Sequence, residues 1–393
     1  MAREGRGERR AARWISDFDA PRRGAGGEYE VFIPDEIGDW EPTLKASTTE
    51  LIRRAELSIA DLNRRDPAPA SLEGLARQLL RSEVLASSQI EGLSISHRKL
   101  AQASIDGLGT HRANEILGNM RAMEHAIELG STSDPITPQD IAEIHRAMAI
   151  VPPLLRIAGQ FREEQGWIGG DSPMTAEFVP APHEEIPRLL DDLCEFINRD
   201  DLPPTVQAAI AHAQFETIHP FGDGNGRVGR CLIHVILRRR DVAPNYVPPI
   251  SLVLGANKDA YISGLQRFQE DRVEEWVAQF ARATAQAAQR AEEFSDAINQ
   301  LQAEWLDRAA PMRSDSTARS IIANLPAYPF ITVKIVEELT GRSNVAALNG
   351  LAHLTENGIL TRHENRRKGD SWEARELFDL LAQFEDAVRD EHE

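Results

Sequence analysis

The chain is 393 residues long, 41% hydrophobic and 27% charged, and its 44 Lys and Arg against 62 Asp and Glu leave a net charge of −18. That is an ordinary globular composition, long enough for two or three domains, and its acidity argues against a surface that binds nucleic acid all over. The two cysteines, Cys194 and Cys231, lack CxxC or Cys/His spacing, which excludes a disulfide framework and a structural zinc and suits a reducing, cytoplasmic compartment. No apolar run approaches the roughly 20 residues that cross a bilayer. The Arg-rich start contains acids and no apolar h-region, so neither a membrane span nor a signal peptide is expected.

In chain order, residues 1–34 are rich in Gly, Arg and Asp with little periodicity and are expected to form a flexible segment. Leu51, Ala55, Ile59 and Leu62 share one helical face, which predicts a helix over 48–64 ended by Asp66-Pro67-Ala68-Pro69. The same period predicts helices over 72–85, 113–129, 138–149 and 184–196. Between the last two, two β-prone runs around Trp167-Ile168 and Phe178-Val179 flank a Gly/Asp/Ser/Pro turn and predict a hairpin over 165–180. Farther on, Val277, Phe280, Thr284, Ala287, Ala291, Phe294, Ile298, Leu301 and Trp305 form a heptad seam on one long helix. Its Ala and Thr positions favour packing against its own domain over a coiled-coil dimer.

From residue 313 the pattern reads helix (318–324), helix (333–339), turn (Thr340-Gly341-Arg342), helix (344–356), strand (358–362) and a turn at Asn365-Arg366-Arg367-Lys368-Gly369-Asp370. This order resembles a winged helix-turn-helix. The basic turn invites DNA, yet Glu337, Glu338, Glu356, Glu364, Asp370 and Glu373 nearly balance its bases. Helices dominate the whole chain, so the fold class is mainly α.

The chemistry is concentrated in His219-Pro220-Phe221-Gly222-Asp223-Gly224-Asn225-Gly226-Arg227-Val228-Gly229-Arg230. A helical stripe (Val206, Ile210, Ala213, Thr217) precedes it and an apolar run, 231–237, follows, so the segment is helix, Gly-rich turn, helix. Its glycines let the backbone approach a ligand, and the amides that open the second helix form an anion site. Arg227 and Arg230 add charge-assisted donors for phosphate oxygens, and Asp223 offers a hard carboxylate for a Mg²⁺ shared with phosphate. His219 brings a group of near-neutral pKa to the edge, as a general base requires. Base, metal carboxylate, anion site and cations within twelve residues point to phosphoryl or nucleotidyl transfer.

Two competing readings fail. Gly224-Asn225-Gly226-Arg227-Val228-Gly229 spells G-x-G-x-x-G, but a helical pattern over 208–215 stands where the dinucleotide fingerprint needs a strand, and no Gly-Lys-Ser/Thr follows for a P-loop. Glu216 and His219 make a single Glu-x-x-His pair, whereas a di-iron bundle needs two and further Glu ligands.

The segment matches the signature His-Pro-Phe-x-Asp/Glu-Gly-Asn-Gly-Arg-x-x-Arg of Fic-domain proteins at every fixed position, and so the chain resembles that family. Ser87-Ser88-Gln89-Ile90-Glu91-Gly92 resembles the family's inhibitory motif, with Leu93 where relatives often have Thr. The hairpin at Trp167 and Ile168 resembles its target-docking flap. The resemblance covers about 33–381 and implies a Fic-type helical bundle with a flap, plus the C-terminal winged helix. It divides the chain into a flexible segment (1–34), a helical region with the inhibitory motif (35–112), a catalytic core (113–268), a connecting helix (269–312) and a winged-helix domain (313–393).

The implied activity is Mg²⁺-dependent transfer of AMP from ATP to a Ser, Thr or Tyr hydroxyl of a target protein, with self-modification. His219 would deprotonate the hydroxyl and Asp223 would hold Mg²⁺. Asn225 and the amides of Gly224 and Gly226 would cradle the anion, Arg230 would bind the outer phosphates with Arg227 assisting, and Tyr261 would line the adenine pocket. Glu91, supported by Ser87 and Gly92, would pair with Arg230 and hold ATP in an unproductive pose. Trp167 and Ile168 would dock the target by β-augmentation or merely cover the core. The reverse reaction, AMP removal through a water positioned by Glu91, stays open. So do a regulatory winged helix that binds DNA or protein, a homo-oligomer, and nucleotides other than ATP. His145, His212 and His234 read as satisfied structural histidines.

Overall fold

A computed structural model of the chain describes residues 5–14, 27–64, 69–107, 109–365 and 369–390. Strands β1 (Gly7–Trp14) and β2 (Gly27–Pro34) come first, followed by helices α1 (Ala46–Arg64), α2 (Pro69–Ile90), α3 (His97–Asp106), α4 (His111–Gly130) and α5 (Pro138–Met148). Then come α6 (Ile186–Ile197), α7 (Pro204–Ile218), α8 (Asn225–Arg239), α9 (Ile250–Ala256), α10 (Lys258–Gln269) and the long α11 (Val273–Arg308). The chain closes with α12 (Thr317–Asn324), β3 (Phe330–Thr332), α13 (Val333–Thr340), α14 (Asn344–Glu356), β4 (Thr361–His363), β5 (Ser371–Glu373) and α15 (Arg375–Asp390). The fold is mainly α. No described helix is long and apolar enough to cross a membrane.

The helices forecast from periodicity form within a few residues of their expected ends, as propensity and tertiary packing trade off there. The flexible segment is a correction. Residues 7–14 and 27–34 pair as one antiparallel ladder from Gly7↔Pro34 to Trp14↔Gly27. Val31, Phe32 and Ile33 are buried, and the β-prone run Tyr29 to Ile33 is the signal that the Arg- and Gly-rich surroundings obscured.

The chain folds as two compact units, each assembled from separated stretches: 1–56, 121–242 and 258–282 in the first, 57–120, 243–257 and 283–393 in the second. In the first, α7 lies at the centre, against α6, α8, α10 and β2. Pro204 opens it, where the missing N–H costs nothing, and every residue from Thr205 to Ile218 except Glu216 is buried. A helix buried on nearly every side is enclosed by its neighbours all round, its Gln207 donating to Phe196 O at 2.9 Å and Gln214 to Asp35 O at 2.9 Å. By contrast α6 buries one face, with Ile186, Leu189, Leu190, Leu193, Phe196 and Ile197 at or near zero exposure, each worth roughly 1.5–3 kcal/mol. The Trp276 indole N–H donates to Ala209 O at 2.7 Å, fixing the start of α11 on α7.

α7 and α8 approach closely because position 229 has no side chain. A Cβ there would lie 2.5 Å from Glu216 Oε1, 3.0 Å from Phe215 Cδ1 and 3.1 Å from His212 Nδ1. Gly229→Ala is therefore expected to destabilise the protein by about 1–3 kcal/mol through overpacking. Chemical denaturation checks this; a midpoint equal to wild type would mean that the two helices are free to separate.

In the second unit, α2 packs on α9 and α12, and α12, α13 and α14 pack on one another beside an antiparallel sheet of order β3-β5-β4. Thr332 and Ser343 cap α13 and α14, and Gly341 in the left-handed region ends α13 between them. The expected strand over 358–362 is shorter and later, at Thr361–His363, because the N–H groups of Ile359 and Leu360 turn back to Leu354 O at 2.9 and 3.2 Å to close α14. The basic residues Arg366, Arg367 and Lys368 lie outside the described residues. Of the heptad seam on α11, every residue but Leu301 is buried by the chain itself.

Candidate active site

The first unit assembles the motif at the junction of α7 and α8. α7 ends at His219, which adopts φ 51° and ψ 60°, its N–H returning to Phe215 O at 2.9 Å. A left-handed histidine costs backbone energy and must be held by its surroundings. The chain then reverses through Pro220 to Gly224 and enters α8. Gly224 takes φ 81°, a conformation that favours glycine, and a Cβ there would also displace the Met148 Cε at 2.6 Å. α8 has no side-chain cap, and its first ladder bond runs from Val228 N–H to Gly224 O at 3.1 Å. The amides of Asn225, Gly226 and Arg227 thus stand ahead of the ladder at the positive end of the helix.

The side chains divide into two sets. Asp223 is 60% exposed, with Oδ1 accepting from Gly224 N–H at 2.6 Å and lying 3.8 Å from Arg227 Nη2. Arg227 and Arg230 are buried, and among the described residues Arg227 Nε and Nη1 have no hydrogen-bond partner. A buried guanidinium with idle donors beside an uncapped helix start is chemistry suited to an anion.

Asn225 departs from expectation. Its Oδ1 accepts from Phe221 N–H at 2.8 Å and its Nδ2 donates to Phe221 O at 2.9 Å. The amide side chain closes the loop on itself, leaving the Asn225 backbone for the anion. Tyr261 is also a correction. It is 3% exposed, its hydroxyl lies 2.8 Å from His212 Nε2, and its ring stacks on His212 and tilts against Trp276. It belongs to the core of the first unit and not to an open adenine wall, because the helical face it shares with Gly264 and Phe268 is the buried one.

Two residues beyond the motif hold it. His145 on α5 is fully buried and stacks on Phe221 with ring centroids 4.0 Å apart. Its Nδ1 accepts from Gly159 N–H at 2.9 Å, which leaves the proton on Nε2 for Asp223 O at 3.1 Å. Burial pushes its pKa down to about 4, so the ring stays neutral and the tautomer fixed. The sequence reading of His145 as satisfied agrees with these two bonds, but its place on the Asp223 loop had no local signal beyond an apolar helix face. His145→Phe keeps the stacking and loses both hydrogen bonds. A loss of about 2 kcal/mol in stability and weaker nucleotide binding are expected, measured by denaturation and by titration with ATP.

The second residue is Arg162, whose Nε donates to His219 O at 2.9 Å while its backbone N–H donates to Pro220 O at 2.9 Å. Nothing in the sequence around Gly159-Gln160-Phe161-Arg162 marked it. Nearby, the expected hairpin is reduced to one bridge, Ile168↔Phe178, with Ile168 N–H donating to Phe178 O at 2.8 Å. Gly169 and Gly170 in positive φ shorten its arms. Trp167 is 40% exposed and Ile168 half-buried. The second arm also joins β2, through Phe32 N–H to Val179 O at 2.9 Å.

The segment that carries Ser87, Glu91 and Gly92 belongs to the second unit. Ser87 is fully buried in the last turns of α2, where Asn119 Nδ2 donates to Ser88 Oγ at 3.0 Å and Val84 O at 3.2 Å. Glu91 is exposed just past the helix end. Gly92 takes φ 80° and Leu93 N–H reaches back to Ser88 O at 2.9 Å. That is a glycine C-cap, a reason for Gly92 that is independent of any ligand.

Comparison with known proteins adds the following. Residues 135–237 match the Fic/DOC family model and residues 49–128 match the model of the Fic/DOC family N-terminal region. The chain is 32% identical over 205 residues to protein adenylyltransferase Fic of Aedes aegypti, which is 49% of this chain and 38% of that relative. It is 34% identical over 149 residues to the protein of the same name from Drosophila erecta, 37% of this chain and 28% of the relative. The matches thus span well under half the length of these relatives. In fold, the chain is similar to a Fic family protein from Desulfovibrio desulfuricans G20, with TM-score 0.54 and 21% identity over 85% of this chain and 98% of that one. It is also similar to Fic-1 from C. elegans, with TM-score 0.54 and 22% identity over 64% and 74%.

Proposed function

Because the chain carries a Fic/DOC domain behind the family's N-terminal region, we propose that it is a protein adenylyltransferase that moves AMP from ATP to a Ser, Thr or Tyr hydroxyl of a target. The observation that carries this reading is the anion site at the start of α8, with Arg227 donors idle and buried beside uncapped amides and a left-handed His219 at the edge. His219 takes the proton of the target hydroxyl, whose oxygen forms a bond to the α-phosphorus. The bond from that phosphorus to the oxygen bridging to the β-phosphate breaks, and pyrophosphate leaves. The helix-start amides, Arg227 and Arg230 carry the charge that develops on the departing oxygens.

The donor set fits Mg²⁺: one largely exposed carboxylate at the lip of a phosphate site is how a cation that keeps several waters is shared with a nucleotide. Asp223 would hold it, and the ion would supply neutralisation of phosphate charge. No group of three or more His, Cys, Asp or Glu that could hold a metal alone occurs among the described residues. Glu91 is assigned the brake from its motif. A cytoplasmic location suits a chain with only two cysteines, Cys194 and Cys231, both buried.

The C-terminal helices and the β3-β5-β4 sheet support the winged-helix reading of 313–393. α14, the helix that would enter a groove of DNA, contains no Lys or Arg and exposes Val345 at 67% and Leu348 at 43%. That surface favours protein over DNA as its partner. The transferase reading is tested by intact mass and label transfer with α-labelled ATP and Mg²⁺. An AMP-sized gain on the chain or on a target, in wild type or in Glu91→Gly, supports it, and nucleotide binding by Glu91→Gly without any transfer overturns it.

A further inference from the structure

The geometry points to Arg162 as a positioning residue that makes the catalytic base and the flap one mechanical unit. This inference rests on the transferase reading above. His219 holds a backbone conformation that an L residue adopts only under constraint. The constraint is supplied largely by one side chain. Arg162 Nε donates to His219 O at 2.9 Å, and Nη2 donates to Ala181 O at 2.5 Å and, at the limit of hydrogen bonding, to Ile218 O at 3.5 Å. Nη1 donates to Glu164 O at 3.0 Å. The same fork therefore grips the end of α7 on one side and both stems of the flap, at 164 and 181, on the other.

Two more contacts tighten this junction. The backbone N–H of Arg162 donates to Pro220 O, and Phe161 bridges Phe221, so the residue is itself fixed along the catalytic turn. Gln165 Nε2 donates to Pro180 O at 2.9 Å and Gly166 O at 3.0 Å, clamping the stems together one residue away. Arg162 forms no ion pair among the described residues. Burial pushes its pKa down to about 10, so it remains a cation at neutral pH. A half-buried cation whose hydrogen bonds all go to carbonyls, with Glu184 acting on it only through space, gains little as a stabilising device, which is the expected signature of a residue kept for geometry. Arginine suits the task because its planar fork reaches several carbonyls in fixed directions, which a lysine ammonium does not. A target strand seated on the flap thus bears on the backbone that orients the His219 ring.

The test uses the full chain with Arg162→Lys, Arg162→Gln and Gln165→Ala, each checked for folding by circular dichroism. Nucleotide affinity is read by titration with a fluorescent ATP analogue, turnover by label transfer, and backbone protection by amide hydrogen exchange. For Arg162→Lys, kcat falls about a hundredfold, as misplacement of a catalytic group predicts, while nucleotide affinity stays within about threefold. Exchange in 216–222 and 164–181 accelerates together, with α8 unchanged. Gln165→Ala, which spares the His219 contact, raises the KM for target several-fold with kcat near wild type. Turnover within twofold of wild type for Arg162→Lys overturns the inference, as does faster exchange in the flap alone, or a loss of nucleotide affinity in step with kcat. The exchange measurement does not depend on catalysis, so coupled loosening in a chain that transfers nothing leaves Arg162 in place and removes the transferase reading.

Discussion

His219→Ala lowers label transfer about a thousandfold or more while leaving nucleotide affinity within about twofold of wild type. Proton removal by a positioned side chain contributes typically 10²–10⁴-fold, and here no second base stands in the turn: Asp223 is committed to Gly224 N–H on one oxygen, and His145 is buried, neutral and occupied on both nitrogens. The anion site is built from α8 amides and Arg227, none of which the substitution touches, so binding survives. Transfer measured with a saturating target and α-labelled ATP distinguishes the roles. Residual activity above about a tenth of wild type would remove His219 from the base position.

Glu91→Gly raises transfer about tenfold or more, the largest gain expected of any single change. A carboxylate brought against the outer phosphates opposes them by like charge, and each tenfold in the population of productive complex corresponds to about 1.4 kcal/mol. Glu91 lies outside the body of α2, which ends at Ile90, and the buried face at Ser87 and Ser88 is pinned by Asn119, so the helix tolerates the loss. Glu91→Gln, which keeps length and loses charge, is expected to give an intermediate gain. AMP release from modified protein by wild type but not by Glu91→Gly would assign removal to the same site. A Glu91→Gly rate no faster than wild type, with α2 intact by hydrogen exchange, would end the autoinhibition reading.

The turn proposed to be catalytic was legible because its chemistry is contiguous: twelve adjacent residues carry a histidine, a carboxylate, glycines and cations. What holds the turn is not contiguous. His145 and Arg162 come from 74 and 57 residues before His219, and neither periodicity nor composition marks a side chain whose partners are backbone groups brought near by folding. Asn225 and Tyr261 show the opposite failure. Their type suited a ligand, but Asn225 satisfies its own loop and Tyr261 satisfies His212. The helices were readable from period, whereas β1 and β2 were hidden by an Arg- and Gly-rich composition that only pairing across 15–26 resolves. α15, a strongly amphipathic helix over Arg375–Asp390, was missed although Leu377, Leu381, Phe384 and Val388 repeat at helical spacing.

The loop closed by Asn225 carries a thermodynamic consequence. Phe221 is tied at both its N–H and its C=O by one amide side chain four residues on, so the turn proposed to receive phosphate is already closed without a nucleotide. Little ordering entropy is then charged to association, and small anions retain affinity that a floppy loop would deny them. Pyrophosphate alone should compete with ATP measurably, and Asn225→Ala should weaken pyrophosphate and ATP by the same factor, because what is lost is the shape of the receptor and not a contact with either ligand.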